Sequence, residues 1–127
     1  MTVELDDLES LTRASYIDLT TTGRKTGEPR IVELSFAVKG NEIVCLAGNG
    51  GKVQWYRNLL RDPKVSIRVG NLNLRARAVK RISHPKKLAR GILELFRKKY
   101  GSAYVRDRYR GTDRAPVRIK VLGRERD

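Results

Sequence analysis

Cysteine and histidine are nearly absent from this sequence. The 127 residues include one cysteine, Cys45, and one histidine, His84. A single cysteine has no partner for a disulfide within the chain, and this pair is too small a set for a tetrahedral zinc site of the usual ligands. Cys45 lies in the apolar run 43–47, so we expect a small buried hydrophobic side chain there. We predict no metal site and assign no chemistry to His84.

Long apolar stretches are lacking as well. The most apolar stretch, residues 31–46, is interrupted by Glu33, Lys39, Asn41 and Glu42, whereas a membrane-spanning helix needs roughly 20 apolar residues. The first ten residues, MTVELDDLES, are acidic, where a secretory signal is basic and then apolar. We therefore predict no transmembrane helix and a cytoplasmic location.

Acidic residues are scarce relative to basic ones. The chain has 14 Asp and Glu against 28 Lys and Arg, which gives a formal net charge of +14. Four of the acids, Glu4, Asp6, Asp7 and Glu9, lie within the first nine residues, so the remainder is more basic than the average. Such a charge attracts nucleic acid, an anionic membrane surface, or a phosphorylated and carboxylated cofactor. A merely solvated surface needs no anion, and charge alone leaves these alternatives open.

Hydrophobic alternation and turn residues predict the element order β-β-β-α-β-β-α-β. Strands are expected over residues 16–22, 32–38, 43–47, 65–69, 72–78 and 117–121, and helices over 52–61 and 83–100. The run 43–47 is apolar throughout, which indicates a strand covered on both faces. Ser83 is the predicted N-cap of the second helix, with Pro85 just inside it.

This order favours a mainly β fold with helices, of the α+β class. Antiparallel hairpins with few helices predict a small barrel with two or three helices packed outside it. A chain of 127 residues with 39% hydrophobic content can bury one core. We therefore predict a single domain over residues 1–127, with an N-terminal segment 1–15, a barrel 16–122 and a tail 123–127.

The stretch TTTGRKTGEPR, residues 20–30, has the composition of an anion-binding loop. Gly23 and Gly27 allow tight turns and close approach of backbone N–H groups to a ligand, and Arg24, Lys25 and Arg30 supply cationic donors. The same string also fits an ordinary solvated hairpin turn. It matches neither the P-loop spacing nor a dinucleotide fingerprint that opens a helix. Other segments must decide between the two interpretations.

Several strings taken together resemble a known family. LTTTGRKTGEPR, AGNGG, WYRNL, DPKV and TDRAPV occur in this order, and the resemblance covers residues 17–121. They resemble the deazaflavin-dependent nitroreductases of the flavin/deazaflavin oxidoreductases, related to pyridoxamine-phosphate-oxidase-like flavoproteins. The resemblance implies an FMN-binding-like split β-barrel that binds coenzyme F-420 and passes a hydride to a small electrophile, such as a quinone or nitro compound. The phosphodiester and oligoglutamate tail of F-420 agree with the charge of +14.

The resemblance also implies site residues. On the loop that contacts the phosphate and acidic tail of the cofactor it places Arg24, Lys25, Thr26 and Arg30. Beside the deazaflavin it places Asn49, Gly50, Gly51, Trp55, Tyr56 and Asn58. In the substrate pocket it places Tyr100, Tyr104 and Tyr109. The chain departs from the family pattern in a short connection from Gly51 to Trp55 and in Asn49, which stands where the family often has lysine.

Other interpretations of these residues stay open. Trp55 and Tyr56 also suit core anchors at a helix start, and Asn58 also suits a residue that satisfies backbone groups. The segment YVRDRYRG, residues 104–111, has poor helical periodicity and suits either a lid over a pocket or a solvated connection.

Two alternative functions follow from the same sequence. One is a split-barrel flavoprotein that binds FMN. The other is a nucleic-acid-binding barrel with a basic face of Arg68, Arg75, Arg77 and Lys80, although 6% aromatic residues leave few side chains for base stacking. We expect a small-molecule substrate, no metal and no nucleic acid, and the family suggests a homodimer.

Overall fold

The computed structural model describes residues 3–109 and 114–125. Seven strands occur in the described residues: β1 (Tyr16–Thr22), β2 (Pro29–Ser35), β3 (Ala37–Lys39), β4 (Glu42–Ala47), β5 (Lys64–Val69), β6 (Leu72–Ala78) and β7 (Ala115–Arg124). The described residues also contain four α-helices: α1 (Leu5–Arg13), α2 (Gln54–Arg61), α3 (Pro85–Tyr100) and α4 (Ser102–Arg108). One turn of 3-10 helix, Asn49–Gly51, precedes α2.

The strands form one curled sheet in the order β2-β1-β5-β6-β7-β4-β3. Every neighbouring pair is antiparallel, which confirms the predicted α+β split barrel. A register shift at Arg75 and Ala76 interrupts the pairing of β6 with β7, and irregularities of this kind bend a sheet. No helix of the described residues is long and apolar enough to cross a membrane.

Strand β4 is buried on both faces, as its apolar run predicts. Ile43, Cys45 and Ala47 belong to the main core inside the curled sheet, whereas Val44 and Leu46 belong to a second cluster under α3 and α4. Cys45 is 1% exposed, and burial raises the pKa of its thiol to about 12. The thiol therefore stays protonated at neutral pH and serves as a small core side chain.

The predicted strand 32–38 is wrong in one respect, because it is two strands that meet at Phe36. The Phe36 N–H donates to the Tyr100 hydroxyl at 3.0 Å. The Phe36 carbonyl accepts from Lys99 Nζ at 2.9 Å and from the Tyr100 hydroxyl at 3.1 Å. Side chains of α3 thus take both backbone groups of Phe36, and the sheet hydrogen bonds stop there.

The segment 1–15 carries a helix that the sequence pattern did not predict. Leu11 of α1 is fully buried in the main core, and Asp7 is paired with Arg124 near the end of β7. Strand β7 ends at Arg124, two residues past the predicted end of the barrel at residue 122. In the segment 104–111, for which we predict a lid or a solvated connection, residues 104–108 belong to α4, and residues 110–111 lie outside the described residues. The structure has four helices in the described ranges rather than two or three.

The start of α3 also differs from the prediction. His84, not Ser83, is the N-cap residue, and it adopts a left-handed conformation with φ of 52°. No side chain caps this end, although Pro85 takes the first helical position as predicted.

Candidate functional site

The predicted anion-binding loop lines a cleft against helix α2, which we call the loop cleft. Its volume is about 400 Å³. The lining residues are Gly23, Arg24, Lys25, Thr26, Arg30, Ile31, Val32, Gln54, Trp55 and Asn58. The fold thus brings all the predicted loop residues together with two of the predicted α2 residues, which are separated from them in sequence.

The loop itself is held in shape by its own backbone. The Gly23 N–H donates to the Glu28 carbonyl at 2.7 Å, and the Gly27 N–H donates to the Gly23 carbonyl at 2.8 Å. A Cβ on Gly23 would lie 2.8 Å from Thr26 Oγ1, and Gly27 has φ of 76°, so both positions favour glycine. Thr26 Oγ1 accepts from the Glu28 N–H at 3.2 Å. The cations are therefore presented on a tight turn.

Asn58 connects this loop to α2. Its Oδ1 accepts hydrogen bonds from Arg24 N at 3.2 Å and from Arg24 Nη1 at 2.9 Å. Its Nδ2 donates to Thr21 Oγ1 at 3.3 Å. Asn58 is 4% exposed, and each of its polar atoms already has a protein partner. The hydrogen bond from Arg24 N agrees with the interpretation that Asn58 satisfies nearby backbone groups. The hydrogen bond from Arg24 Nη1 also fixes the position of the guanidinium.

Within the described residues, the cations of the loop cleft lack acidic partners. Arg24, Lys25 and Arg30 form no ion pair with any residue in the described ranges. Ile31, which is 71% exposed, and Trp55 supply apolar surface in the same cleft. The donor set suits a ligand that has an anionic end and a flat apolar part.

A second cleft, which we call the turn cleft, lies beside the 3-10 turn. Its volume is about 580 Å³. The lining residues are Gly50, Tyr56, Lys80, Ile82, Pro85, Lys86, Arg114, Ala115 and Pro116. Gly51 has φ of 83°, and a Cβ there would lie 2.8 Å from Tyr56 Cε2. Only glycine therefore allows the turn to approach the Tyr56 ring so closely.

The residues predicted to lie beside the deazaflavin are divided between the two clefts. Trp55 lines the loop cleft, whereas Tyr56 and Gly50 line the turn cleft. The two aromatic rings are nearly perpendicular, with centroids 6.3 Å apart. Asn49 is exposed with φ of 54° and lines neither cleft. The start of α2 therefore separates two binding surfaces that are adjacent in sequence.

Arg114 is a residue of the turn cleft that the sequence analysis missed. Its Nη2 donates to the Arg108 carbonyl at 2.9 Å, and its guanidinium lies 4.8 Å from the Tyr109 ring centroid. Its Nε is buried and has no hydrogen-bond partner in the described part of the chain. The string TDRAPV, which contains Arg114, was the available signal. A buried N–H without a partner beside a cleft is the kind of donor that a ligand oxygen satisfies.

The three predicted substrate tyrosines belong to the packing of α3 and α4. The Tyr104 hydroxyl lies 2.7 Å from Ser35 Oγ, and the Tyr104 ring stacks on Tyr100 with centroids 4.7 Å apart. Burial raises the pKa of Tyr100 to about 12, and it also raises the pKa of Tyr109. Tyr109 contacts Arg114 and so adjoins the turn cleft, whereas Tyr104 lines neither cleft.

The predicted basic face is only partly assembled. Arg68 of β5 and Arg75 and Arg77 of β6 lie on adjacent strands, but Lys80 lines the turn cleft instead. Among the described residues, the exposed large hydrophobic side chains include one aromatic ring, that of Tyr16. This ring stacks on the Tyr100 ring, with centroids 6.1 Å apart. A nucleic acid would therefore find little aromatic surface for base stacking.

The fold first defines a structural class, because the curled antiparallel sheet is a split barrel, a fold that solved F-420-dependent reductases share. A solved reductase that depends on reduced F-420 superposes with a TM-score of 0.62 and 24% identity, over 84% of this chain and 93% of its own. A domain-swapped dimer superposes with a TM-score of 0.58 and 25% identity, over 84% of this chain and 79% of its own.

The sequence then defines the family. The family model described as "F420H(2)-dependent quinone reductase" matches residues 7–123, and the chain belongs to this family. A curated F420H(2)-dependent quinone reductase of Mycobacterium tuberculosis is 42% identical over 55 residues, which are 41% of this chain. The aligned part spans 37% of the length of that relative. Family membership confirms the resemblance, and the description of the family names reduced F-420 as its cofactor and a quinone as its substrate.

Proposed function

We propose that this protein binds reduced F-420 and catalyses hydride transfer to a small electrophile, a quinone or a nitro compound. The observation that carries the proposal is the loop cleft, where three cations without acidic partners in the described residues stand beside Trp55 and Ile31. This donor set fits the phosphate and carboxylate groups of F-420 at one end of the cleft and an aromatic system beside it.

In this proposal the residues of the loop cleft bind and orient the cofactor. Arg24, Lys25 and Arg30 bind its anionic groups, and the Thr26 hydroxyl keeps its own proton available for donation because its oxygen accepts from Glu28 N–H. Asn58 keeps the Arg24 guanidinium in place before the cofactor arrives. When bound, F-420 supplies the hydride, and the protein supplies orientation and exclusion of water.

We assign the substrate to the turn cleft, and the deazaflavin ring then reaches past Trp55 to Tyr56, whose ring centroids are 6.3 Å apart, because hydride transfer needs cofactor and substrate in contact. Gly50 and Gly51 allow close approach of the backbone, and Tyr56 supplies an aromatic wall. The Arg114 Nε–H is a donor for a quinone or nitro oxygen, where negative charge develops as the hydride arrives. Tyr109 supports the Arg114 guanidinium from behind, at 4.8 Å. Tyr104 acts through Ser35 and Tyr100 rather than on the substrate.

Two further parts of the proposal concern the assembly of the protein and its location. The domain-swapped dimer among the similar structures supports a homodimer, and a cytoplasmic location stays a prediction. FMN is the alternative cofactor, but its single phosphate needs less charge than the loop cleft offers.

The experiment is a titration of the protein with F-420, FMN and a short single-stranded oligonucleotide at about 0.15 M ionic strength, where weak surface attraction is screened. Trp55 is the single tryptophan, so its fluorescence reports binding in the loop cleft. Micromolar or tighter binding of F-420 with quenching of Trp55 supports the proposal. Preference for FMN replaces the cofactor, and oligonucleotide binding without either flavin overturns the enzyme interpretation.

A second experiment separates the two clefts. Arg114→Met removes the donor from the turn cleft, and we expect kcat for quinone reduction to fall about a hundredfold while the Kd of F-420 changes little. Tyr109→Phe keeps the ring beside Arg114 and removes the hydroxyl, so a slower turnover in this variant would assign the hydroxyl to proton donation or substrate positioning.

A further inference from the structure

A groove between α3 and the strands β3 and β4 takes no part in the proposed hydride transfer. We call it the α3 groove; its volume is about 470 Å³, within the range of small-molecule sites. The lining residues are Lys39, Val44, Ser83, His84, Lys87, Leu88, Gly91, Ile92 and Leu95. Apolar side chains form its floor and walls, and the polar and cationic residues gather where α3 begins.

The apolar part of the groove is continuous along one side of α3. Leu88, Ile92 and Leu95 recur at helical spacing, so they lie on one stripe of the helix. Ile92 and Val44 are each 1% exposed and form a well-packed floor. The stripe from Leu88 to Leu95 rises about 10 Å along the helix. The groove therefore offers an apolar path along α3.

Gly91 leaves this path open. A glycine in the interior of a helix is less stable than alanine by about 1 kcal/mol, and Gly91 lies in the middle of α3. A Cβ at this position would meet nothing within 4 Å, so no neighbour in the described residues requires a glycine here. The space above its Cα is the groove itself. A ligand that lies along α3 is the partner that would use this space.

The polar end of the groove is cationic. The side chains of Lys39 and Lys87 form no ion pair or hydrogen bond with any residue of the described ranges, and no carboxylate is among the lining residues. His84, which also lines the groove, has φ of 52° without being glycine. Backbone strain of this kind persists where the surrounding structure needs it, often at binding sites.

We propose that the α3 groove binds a medium-chain alkyl carboxylate. The carboxylate lies between Lys39 and Lys87, where it meets two cations without counter-charges. The alkyl chain lies over Gly91 and Ile92 towards Leu95. A neutral or cationic amphiphile would gain the apolar contact but not the charge. This site is separate from the loop cleft and the turn cleft, so it does not depend on the proposed reductase activity.

The test uses dodecanoate as the probe, below its micelle concentration and without F-420. We expect dodecanoate to bind, to shift the backbone amide NMR signals of Val44 and Gly91, and to bind at least tenfold more tightly than dodecanol or dodecyltrimethylammonium. Lys87→Glu should weaken binding at least tenfold, whereas Arg90→Glu makes the same charge change on an exposed side chain outside the groove and should not. Equal affinity for the three amphiphiles, or an unchanged Kd in Lys87→Glu, overturns the proposal.

A pair of substitutions at Gly91 tests where the chain lies. Gly91→Leu fills the open space and should abolish dodecanoate binding, whereas Gly91→Ala raises helix propensity without filling the groove and should retain it. Both variants should keep the wild-type Kd for F-420, since Gly91 lines neither cleft. If the wild type is a dimer that Gly91→Leu converts to a monomer, the groove is an interface between copies of the chain and the carboxylate proposal is wrong.

Discussion

The arginines of strand β7 and the cations of the loop cleft differ in what they contact. Arg118 donates to both carboxylate oxygens of Glu42 at 2.8 Å, and Arg124 donates to Asp7, which is 2% exposed. In the described residues, Arg24 has no carboxylate partner and instead donates to the amide oxygen of Asn58. An amide holds a guanidinium in place without neutralising it. The β7 arginines therefore join parts of the fold, and the cleft cations keep their charge for a ligand.

The comparison shows why the net charge of +14 was a poor guide by itself. The same residue type stabilises the fold at one place and is available for binding at another, and only the partner distinguishes the two roles. Substitutions in the cleft should therefore change affinity without changing stability, and substitutions in the β7 pairs should do the opposite.

Removing positive charge from the loop cleft should cost most of the affinity for the cofactor. The double substitution of Arg24→Ala and Lys25→Ala removes two charge-assisted donors, each worth about 1.5–3 kcal/mol. We expect the Kd of F-420 to rise at least a hundredfold, with no fall in the thermal unfolding midpoint. Trp55 fluorescence titration and a thermal melt measure the two quantities. Unchanged affinity would falsify the assignment of the loop.

A carboxylate beside Arg24 should weaken cofactor binding by neutralising the guanidinium. Asn58→Asp keeps oxygen acceptors beside Arg24 but neutralises its charge in the way that Glu42 neutralises Arg118. We expect F-420 to bind about tenfold more weakly, although no cation has been removed. Asn73→Asp, an exposed position on β6, is the matched control and should bind normally. If both variants bind F-420 like the wild type, the free charge of Arg24 is not what the cleft uses.

The opposite experiment removes a cation from a β7 pair. Arg118→Ala leaves Glu42, whose side chain is 20% exposed, without its partner. Since the Arg118 side chain is 37% exposed and therefore screened by solvent, we expect a loss of about 1 kcal/mol in the free energy of unfolding. Chemical denaturation measures this loss, which should shrink at high salt. The Kd of F-420 should stay at its wild-type value, and a weakened Kd would mean that the two groups of cations are not separate.

The sequence was sufficient for features that depend on neighbouring residues. Alternation placed the strands, the apolar run 43–47 gave a strand buried on both faces, and Gly23 and Gly27 marked a turn. Each of these depends on side-chain period or backbone freedom within a few residues. The family resemblance added residues that local patterns could not rank, such as Trp55.

What the sequence could not give depends on distant contacts. The break at Phe36 is caused by Lys99 and Tyr100, more than sixty positions along the chain. Asn58 reaches back 34 positions to Arg24. Helix α4 escaped detection because it is seven residues long with only Val105 buried, too short for a periodic pattern. None of these contacts leaves a local signature, so a single sequence does not reveal them.

Lys99 belongs to neither group, because it lacks a carboxylate partner in the described residues and yet is built into the fold. Its Nζ lies 3.5 Å from the centroid of the Phe36 ring and donates to the Phe36 carbonyl. Burial lowers the pKa of Lys99 to about 8 from its ordinary 10.5. Between these pH values the folded state binds fewer protons at this group than the unfolded state. The contribution of Lys99 to the free energy of unfolding therefore rises with pH across that window.

Lys99→Met should remove that rise, and this is the smallest effect that we predict. Other groups also titrate at alkaline pH, so the measurement is the difference in the free energy of unfolding between wild type and variant, followed by urea denaturation from pH 7 to 10.5. The difference should move in favour of the wild type as pH increases, by about 1 kcal/mol or less, since Lys99 is partly solvated. Lys98→Met, at an exposed neighbour, should follow the wild-type profile. Parallel profiles for Lys99→Met and wild type would mean that Lys99 is solvated like an ordinary surface lysine and is not built into the fold.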